Sequence, residues 1–304
     1  MAVTASMVKE LRQATGSGMM DCKKALVEVD GNMQKAIEVL REKGLSKAAK
    51  KADRIAAEGL VKIAFAEDAK SAAAVEVNSE TDFVAKNEEF IGFVEDLAEI
   101  ALATDEKSIE NFVKLTYKEE GTVQDALNTK ISKIGENMNV RRFKKCATPG
   151  VVYTGYVHGG GSIGAIVGIE TEATKEEVAV VGRDIAMQVA SMNPKFVDET
   201  SIDKDYIEKE KEILTQMVLN EGKKPEMVER IVEGKIKKEL KEVCLVEQQF
   251  VKNSDLTVKQ YVETVAKECG KEMKVVEMVR YEVGEGIEKK SEDFAAEVAA
   301  QLGK

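Results

Sequence analysis

A strand–turn–strand–helix order occurs twice in this 304-residue chain, and any fold it adopts must accommodate both copies. In the first, Leu60-Val61-Lys62-Ile63-Ala64-Phe65-Ala66 alternates in part. A polar turn covers 67–71, and Ala74-Val75-Glu76-Val77-Asn78 forms the second strand. Phe90, Val94, Leu97 and Ala101 then fall on one helical face. In the second copy, Gly150-Val151-Val152-Tyr153-Thr154-Gly155-Tyr156-Val157 is the first strand and 159–162 the turn. Ala165-Ile166-Val167-Gly168-Ile169 is the partner strand and 178–192 the helix. Setting Phe65 on Tyr156 and Val75 on Val167 requires an offset of 91 or 92 residues. The repeated order reads as an internal duplication, so the fold class expected is α+β, with duplicated units built on antiparallel sheets.

Each unit has further parts. Leu127, Ile131 and Ile134 mark another helix in the first, while a helix over 257–269 and a strand over 275–283 complete the second. Ahead of them, 1–54 reads as three short helices. Thr4 caps one that buries Met7, Leu11 and Ala14. A second over 19–29 buries Ala25, Leu26 and Val29. The third is capped by Asn32, turns Ala36, Ile37 and Leu40 inward and stops at Gly44. Between about 200 and 245, Tyr206, Ile213, Met217, Val228, Ile231, Val232, Ile236 and Leu240 trace two Lys- and Glu-rich helices with a narrow apolar seam. They form a coiled-coil hairpin inserted into the second unit. Phe294, Val298 and Leu302 stripe a last helix. The expected divisions are 1–54, 55–145, 146–283 with the insertion, and 284–304.

Composition narrows the function classes. No apolar run approaches the roughly 20 residues of a membrane span, and 1–5 lack the layout of a signal peptide. A cytoplasmic chain is therefore expected, without membrane contact. Cys22, Cys146, Cys244 and Cys269 are scattered without a CxxC pair, which points to buried free thiols rather than zinc or disulfides. The net charge of −10 is uneven. Residues 1–54 carry 11 Lys and Arg against 7 Asp and Glu, and the rest carry 34 against 48. An acidic body argues against direct nucleic-acid binding, with the basic N-terminal segment the one place that leaves room for it.

The motifs divide into weak and strong. Gly159, Gly161 and Gly164 satisfy GxGxxG, but a second strand follows where a dinucleotide site needs a helix N-terminus, so a hairpin turn is expected. His158, the single histidine, adjoins that turn with no orienting partner in view; a surface contact suits it better than catalysis. Glu80 and Asp82 read first as charge complements of a helix start. Met19 and Met20 suit either a core or an interface, and the Phe294 stripe either the chain's own body or a partner's groove. Asp82-Phe83 is different. A carboxylate and a large aromatic side by side before a helix do not share a core easily, whereas a tip that enters another protein accounts for both.

Leu11-Arg12-Gln13-Ala14-Thr15-Gly16-Ser17-Gly18-Met19-Met20-Asp21-Cys22-Lys23-Lys24-Ala25-Leu26 resembles the N-terminal signature of the bacterial elongation factor Ts family. Thr81-Asp82-Phe83-Val84-Ala85-Lys86-Asn87 resembles its second signature. Tyr156-Val157-His158-Gly159-Gly160 and Phe294-Ala295-Ala296-Glu297-Val298-Ala299 are similar to two further family stretches. The resemblance implies a ubiquitin-associated-like N-terminal module, two related core subdomains, an inserted coiled coil and a C-terminal helical module. It also implies a nucleotide-exchange factor for the GTPase elongation factor Tu, with no bond chemistry, cofactor or metal of its own. Carried over residue by residue, Asp82 and Phe83, flanked by Thr81 and Val84, enter the GTPase's G domain and disturb its magnesium site. Arg12, Met19, Met20, Phe294 and Val298 resemble further G-domain contacts. His158 and Gly159 look like part of a surface toward the GTPase's distal domain. Whether the coiled coil contacts the partner or makes a homodimer stays open.

Overall fold

The computed structural model describes residues 3–118 and 121–288. The expected C-terminal helix, with Phe294 and Val298, lies outside them. Three helices open the chain: α1 (Ala5–Thr15), α2 (Met19–Glu28) and α3 (Met33–Ala49). Thr4 Oγ1 accepts from Met7 N at 3.3 Å and Asn32 Oδ1 from Lys35 N at 3.0 Å, so both caps form as expected. The small core holds Val8, Leu11, Cys22, Ala25, Leu26, Ala36 and Leu40.

Two expectations fail here. Ala14 is exposed, because α2 and α3 lie on the side of α1 that carries Val8 and Leu11. Gly44 does not end α3: the helix runs five residues further with Gly44 buried inside it. A Cβ there would sit 3.7 Å from the Ser132 Cβ, so the absent side chain lets α3 come close to a helix of the next unit. A glycine stop needs a left-handed residue, and Gly44 is not one.

The next unit contains β1 (Glu58–Phe65), β2 (Ala72–Ser79), α4 (Asp82–Ala85), α5 (Glu88–Ala103), α6 (Ile109–Phe112), α7 (Val123–Ile134) and β3 (Met138–Cys146). Its antiparallel sheet has the order β1-β2-β3. The second unit begins with β4 (Val151–His158), β5 (Ile163–Glu170) and α8 (Lys175–Met192). A helical hairpin follows, α9 (Lys204–Asn220) and α10 (Pro225–Val243), then a short ribbon of β6 (Gln249–Phe250) and β7 (Asn253–Thr257). Finally α11 (Val258–Cys269) leads to β8 (Lys274–Glu282), and the second sheet is ordered β4-β5-β8.

The two units match in detail. Both central strands shift register, between Glu76 and Val77 and between Gly168 and Ile169, 92 residues apart. α7 and α11 are both 12 residues long, start from capping boxes at Thr122 and Thr257, and end on left-handed Gly135 and Gly270. Between those helices the offset widens to 135 residues, because α9 and α10 are inserted after α8.

Both central strands are buried on two faces. Ala73, Val75 and Val77 of β2 point to α5, and Ala72 and Ala74 point to the second sheet. In β5, Ala165, Val167 and Ile169 pack under α8 while Ile166 meets the first sheet. The layers therefore run helix, sheet, sheet, helix. The sheet-to-sheet layer combines Ala72, Ala74 and Cys146 with Val151, Tyr153, Ile166 and Val279, and Gly161 and Gly164 lie against β1 beside it. A Cβ on Gly164 would lie 2.5 Å from Val61 Cγ1, and one on Gly161 would lie 2.7 Å from Leu60 Cδ2. Val61 N also donates to Gly161 O at 2.8 Å. The glycine-rich turn thus exists to seat the second hairpin on β1.

One charged cluster crosses this layer. Glu76 is fully buried in β2 and pairs with Arg141 Nη1 at 3.0 Å and Arg142 Nε at 2.5 Å, both on β3. It also accepts from Gly284 N at 2.9 Å, just beyond β8. Burial alone would raise its pKa, yet the Gly284 N–H and the two guanidiniums hold the carboxyl below its ordinary value of 4.5.

In the inserted hairpin, α10 supplies the expected Val228, Val232 and Ile236, but α9 contributes Val218 with Leu214 beside it. Ile213 and Met217 are exposed. Adjacent stripes 213/217 and 214/218 are both apolar at helical spacing, and the placement of α10 decides between them. Three of the free cysteines are buried, while Cys269 is only partly so. Among the described residues, no helix is long and apolar enough to cross a membrane.

Candidate functional site

Asp82 and Phe83 occupy the first two positions of α4, a single helical turn between β2 and α5. A turn this short cannot hold itself, and its anchors come from three directions. Thr81 caps it: its Oγ1 takes the Val84 N–H at 3.5 Å. Val84, at 6% exposure, drops into the core under α5. The third anchor is distant in sequence. Glu136, just past α7, accepts from Thr81 N at 3.0 Å and from Thr81 Oγ1 at 2.7 Å. Beside it, Asn137 N donates to Glu80 Oε1. Asn137 Nδ2 donates to Arg54 O at 2.7 Å, and Arg54 Nη1 lies 3.5 Å from Glu80. Lys51 Nζ reaches Gly135 O. The 51–54 linker, the 135–137 loop and the start of the α4 turn therefore form one hydrogen-bonded junction.

On this pinned backbone Phe83 is 80% exposed, the most exposed of the chain's described large apolar side chains. Burying a Phe is worth about 2–3 kcal/mol, and this ring forgoes that inside its own chain. Asp82 is also solvent-facing, ion-paired to Lys86 Nζ at 2.6 Å one turn on. That ammonium holds its carboxyl below the ordinary range, so Asp82 is ionised at neutral pH. Glu80 and Asp82 engage separate partners and make no shared cation site. Among the described residues there is no cluster of His, Cys, Asp and Glu able to hold a metal.

The other expected residues sit on different elements. Arg12 is exposed late in α1; Met19 and Met20 open α2 at 56% and 62% exposure, which removes the core reading for both. Their module is docked on α7 through Arg41–Asp125 at 2.6 Å and the Gly44 contact, and α7 leads into the loop that grips Thr81. His158 is exposed at the end of β4, its Nδ1 3.0 Å from Tyr156 Oη. Gly159 follows in a left-handed conformation. The His158 ring nitrogen thus meets a phenol rather than a carboxylate or a thiol. Burial raises the Cys146 and Cys244 thiols to about 12 and about 11, so neither is a ready nucleophile. Glu136 and Asn137 are absent from the sequence reading. Their only local signal is a polar pair after the helix-ending Gly135; contact with residues 55 or more positions away leaves no periodic trace.

Comparison with known proteins bears on the same segment. A model of the family described as elongation factor TS matches residues 80–285, starting just ahead of the α4 turn. The chain belongs to the elongation factor Ts family. It is 59% identical over 300 residues to the elongation factor Ts of Clostridioides difficile (strain 630), across 99% of both chains. It is 53% identical over 302 residues to those of Clostridium tetani (strain Massachusetts / E88) and Clostridium novyi (strain NT), again across 99% of each. As an elongation factor Ts family member the chain displays its bare aromatic on a braced turn, together with the exposed methionines and the β4–β5 tip.

Proposed function

We propose that this chain is a translation elongation factor that binds elongation factor Tu in its GDP form and promotes release of GDP and its exchange for GTP. The observation that carries this reading is Phe83, almost fully exposed on a turn whose backbone is fixed by Thr81, Val84 and Glu136. The ring wedges into the G domain and Asp82 helps seat it. The displaced elements lose their grip on the magnesium ion that bridges protein and phosphate oxygens, and GDP leaves. Arg12, Met19, Met20, the Phe294–Val298 stripe and the His158–Gly159 tip extend the contact.

This role is work by differential binding, without bond chemistry in the chain itself. The factor must bind the nucleotide-free GTPase more tightly than the loaded one, and nucleotide then weakens factor binding by the same factor. A fixed backbone matters because an already ordered tip pays less entropy on docking. The divisions at 54, 145 and 283 belong to the same proposal: a ubiquitin-associated-like module, two core subdomains with an inserted coiled coil, and a C-terminal module, in a cytoplasmic protein. Ile213 and Met217, facing outward from the hairpin, are the surface through which a homodimer would form.

The deciding experiment is stopped-flow release of a fluorescent GDP from elongation factor Tu. Phe83→Ala is expected to slow factor-driven release about 30- to 150-fold, the equivalent of 2–3 kcal/mol of wedge contact. Its melting temperature should stay near that of the parent. An unchanged release rate would refute the wedge.

A further inference from the structure

The last turn of α7 touches two places that lie far apart in the sequence. Lys133 Nζ pairs with Glu89 Oε2 at 2.7 Å. Glu89 is the second residue of α5, where Asn87 Oδ1 takes its N–H at 2.9 Å. Asn87 N in turn donates to Val84 O at 3.0 Å, so the ion pair closes on the exit from α4. Glu136, three residues beyond Lys133, holds Thr81 at the entry. One end of α7 therefore grips the chain on both sides of Phe83. Lys130, one turn earlier and 7% exposed, brings a second ammonium to 3.5 Å from Glu89. Burial alone would raise the Glu89 pKa, yet the two ammoniums hold it below its ordinary value of 4.5, so the pair is charged at neutral pH.

The same lysine reaches the N-terminal module. Gly16, left-handed at φ 64°, ends α1 and gives its N–H to Arg12 O at 2.8 Å. A Cβ there would lie 3.5 Å from Lys133 Cδ, Cε and Nζ, so the lysine stem runs alongside the bare glycine. Gly16 stands between Arg12 and the Met19–Met20 pair that opens α2. We propose that Lys133 is a positioning residue that sets both exposed contact groups at once, the Arg12–Met20 segment and the Phe83 turn, without being a member of either. The proposal rests on the exchange-factor reading above. Each group is weakly held by itself: α2 starts without a side-chain cap, and α4 is a single turn. Lysine suits the place because its aliphatic stem packs along the glycine while its ammonium answers the carboxylate.

Two measurements on the full-length chain test this. Lys133→Met keeps the stem and removes the charge; without any GTPase it is expected to speed amide hydrogen exchange about two- to fivefold over both 14–20 and 82–92. Peptides of β5 should be unchanged, and Lys133→Arg should exchange as the parent does. With elongation factor Tu loaded with a fluorescent GDP, Lys133→Met should raise the half-saturating factor concentration and lower the saturated release rate, each about two- to fivefold, and Lys133→Arg should restore both. A merely structural role would lower the melting temperature and leave both quantities alone. The Lys133 side chain is 43% exposed, so Lys133→Met should keep the parent's circular dichroism; Lys133→Gln is the replacement should it not. Exchange that changes in one segment only, or in neither, overturns the proposal whatever the GTPase result. A shift in half-saturation alone, or in the saturated rate alone, also overturns it. A parent chain that fails to speed GDP release would refute the exchange-factor reading instead, and the amide exchange would still decide the place of Lys133.

Discussion

Phe83 and Val84 are neighbours with opposite environments, one ring in solvent and one side chain under α5. Substitution should separate the two roles. Val84→Ala removes buried methyl groups and is expected to lower stability by about 1–2 kcal/mol, seen as a lower urea midpoint, with a modest effect on exchange. Phe83→Ala should do the reverse. Glu136 gives a third pattern. Its carboxylate takes both the N–H and the hydroxyl of Thr81, so Glu136→Ala frees the turn's start. The turn is partly exposed, and losing these bonds should cost about 1–2 kcal/mol of docking-ready order. That corresponds to roughly 5- to 30-fold slower GDP release. Glu136→Gln, which keeps one acceptor, should recover part of the loss. A Glu136→Ala variant with parental exchange kinetics would show that the clamp is irrelevant to docking.

At the scale of elements, the buried Glu76 joins β2, β3 and the turn after β8. Because its carboxyl is held below its ordinary value in the folded chain, the unfolded chain binds the proton more readily. The stability it contributes is therefore fully present above about pH 5 and drains away as pH falls through the folded pKa. Glu76→Gln leaves two half-buried guanidiniums short of a counter-charge and is expected to cost about 2–3 kcal/mol at pH 7. The variant's stability should also depend less steeply on pH between 5 and 3 than the parent's, measured by urea unfolding at each pH. The inserted hairpin behaves differently, since its seam holds little more than Val218, Val228, Val232 and Ile236. Its amides should exchange faster than those of β2 and β5, which are buried on both faces.

Across the whole molecule, the N-terminal helices, α7 and the 135–137 loop form a continuous path from Met19 and Met20 to the Phe83 turn. Two exposed apolar groups are thus set on one frame, and on the proposed function binding should feel both. Met19→Ala with Met20→Ala is expected to weaken affinity for elongation factor Tu about tenfold, by isothermal titration, while leaving the release rate at saturation near the parent's. Phe83→Ala should lower that saturated rate. Equal effects of the two variants on both quantities would argue against a division between holding and wedging.

Local regularities made much of this legible from residue order. The 92-residue repeat, the period of Phe90, Val94, Leu97 and Ala101, and the caps at Thr4 and Asn32 depend on neighbours within a few turns. Each is realised in the fold. Asp82-Phe83 was visible as a misfit for the same reason, as a charge and an aromatic too close together to share a core. Other features were settled by contacts between distant segments. Gly44 reads as a stop until α7 is placed against it, and Ile213 with Met217 reads as a seam until α10 selects Leu214 and Val218. Gly161 and Gly164 mimic a nucleotide motif until β1 lies across them. The bond from Glu136 to Thr81 spans 55 residues. A one-dimensional pattern records which faces are apolar. Which face meets which neighbour, and what holds an exposed ring in place, is decided only when the layers close.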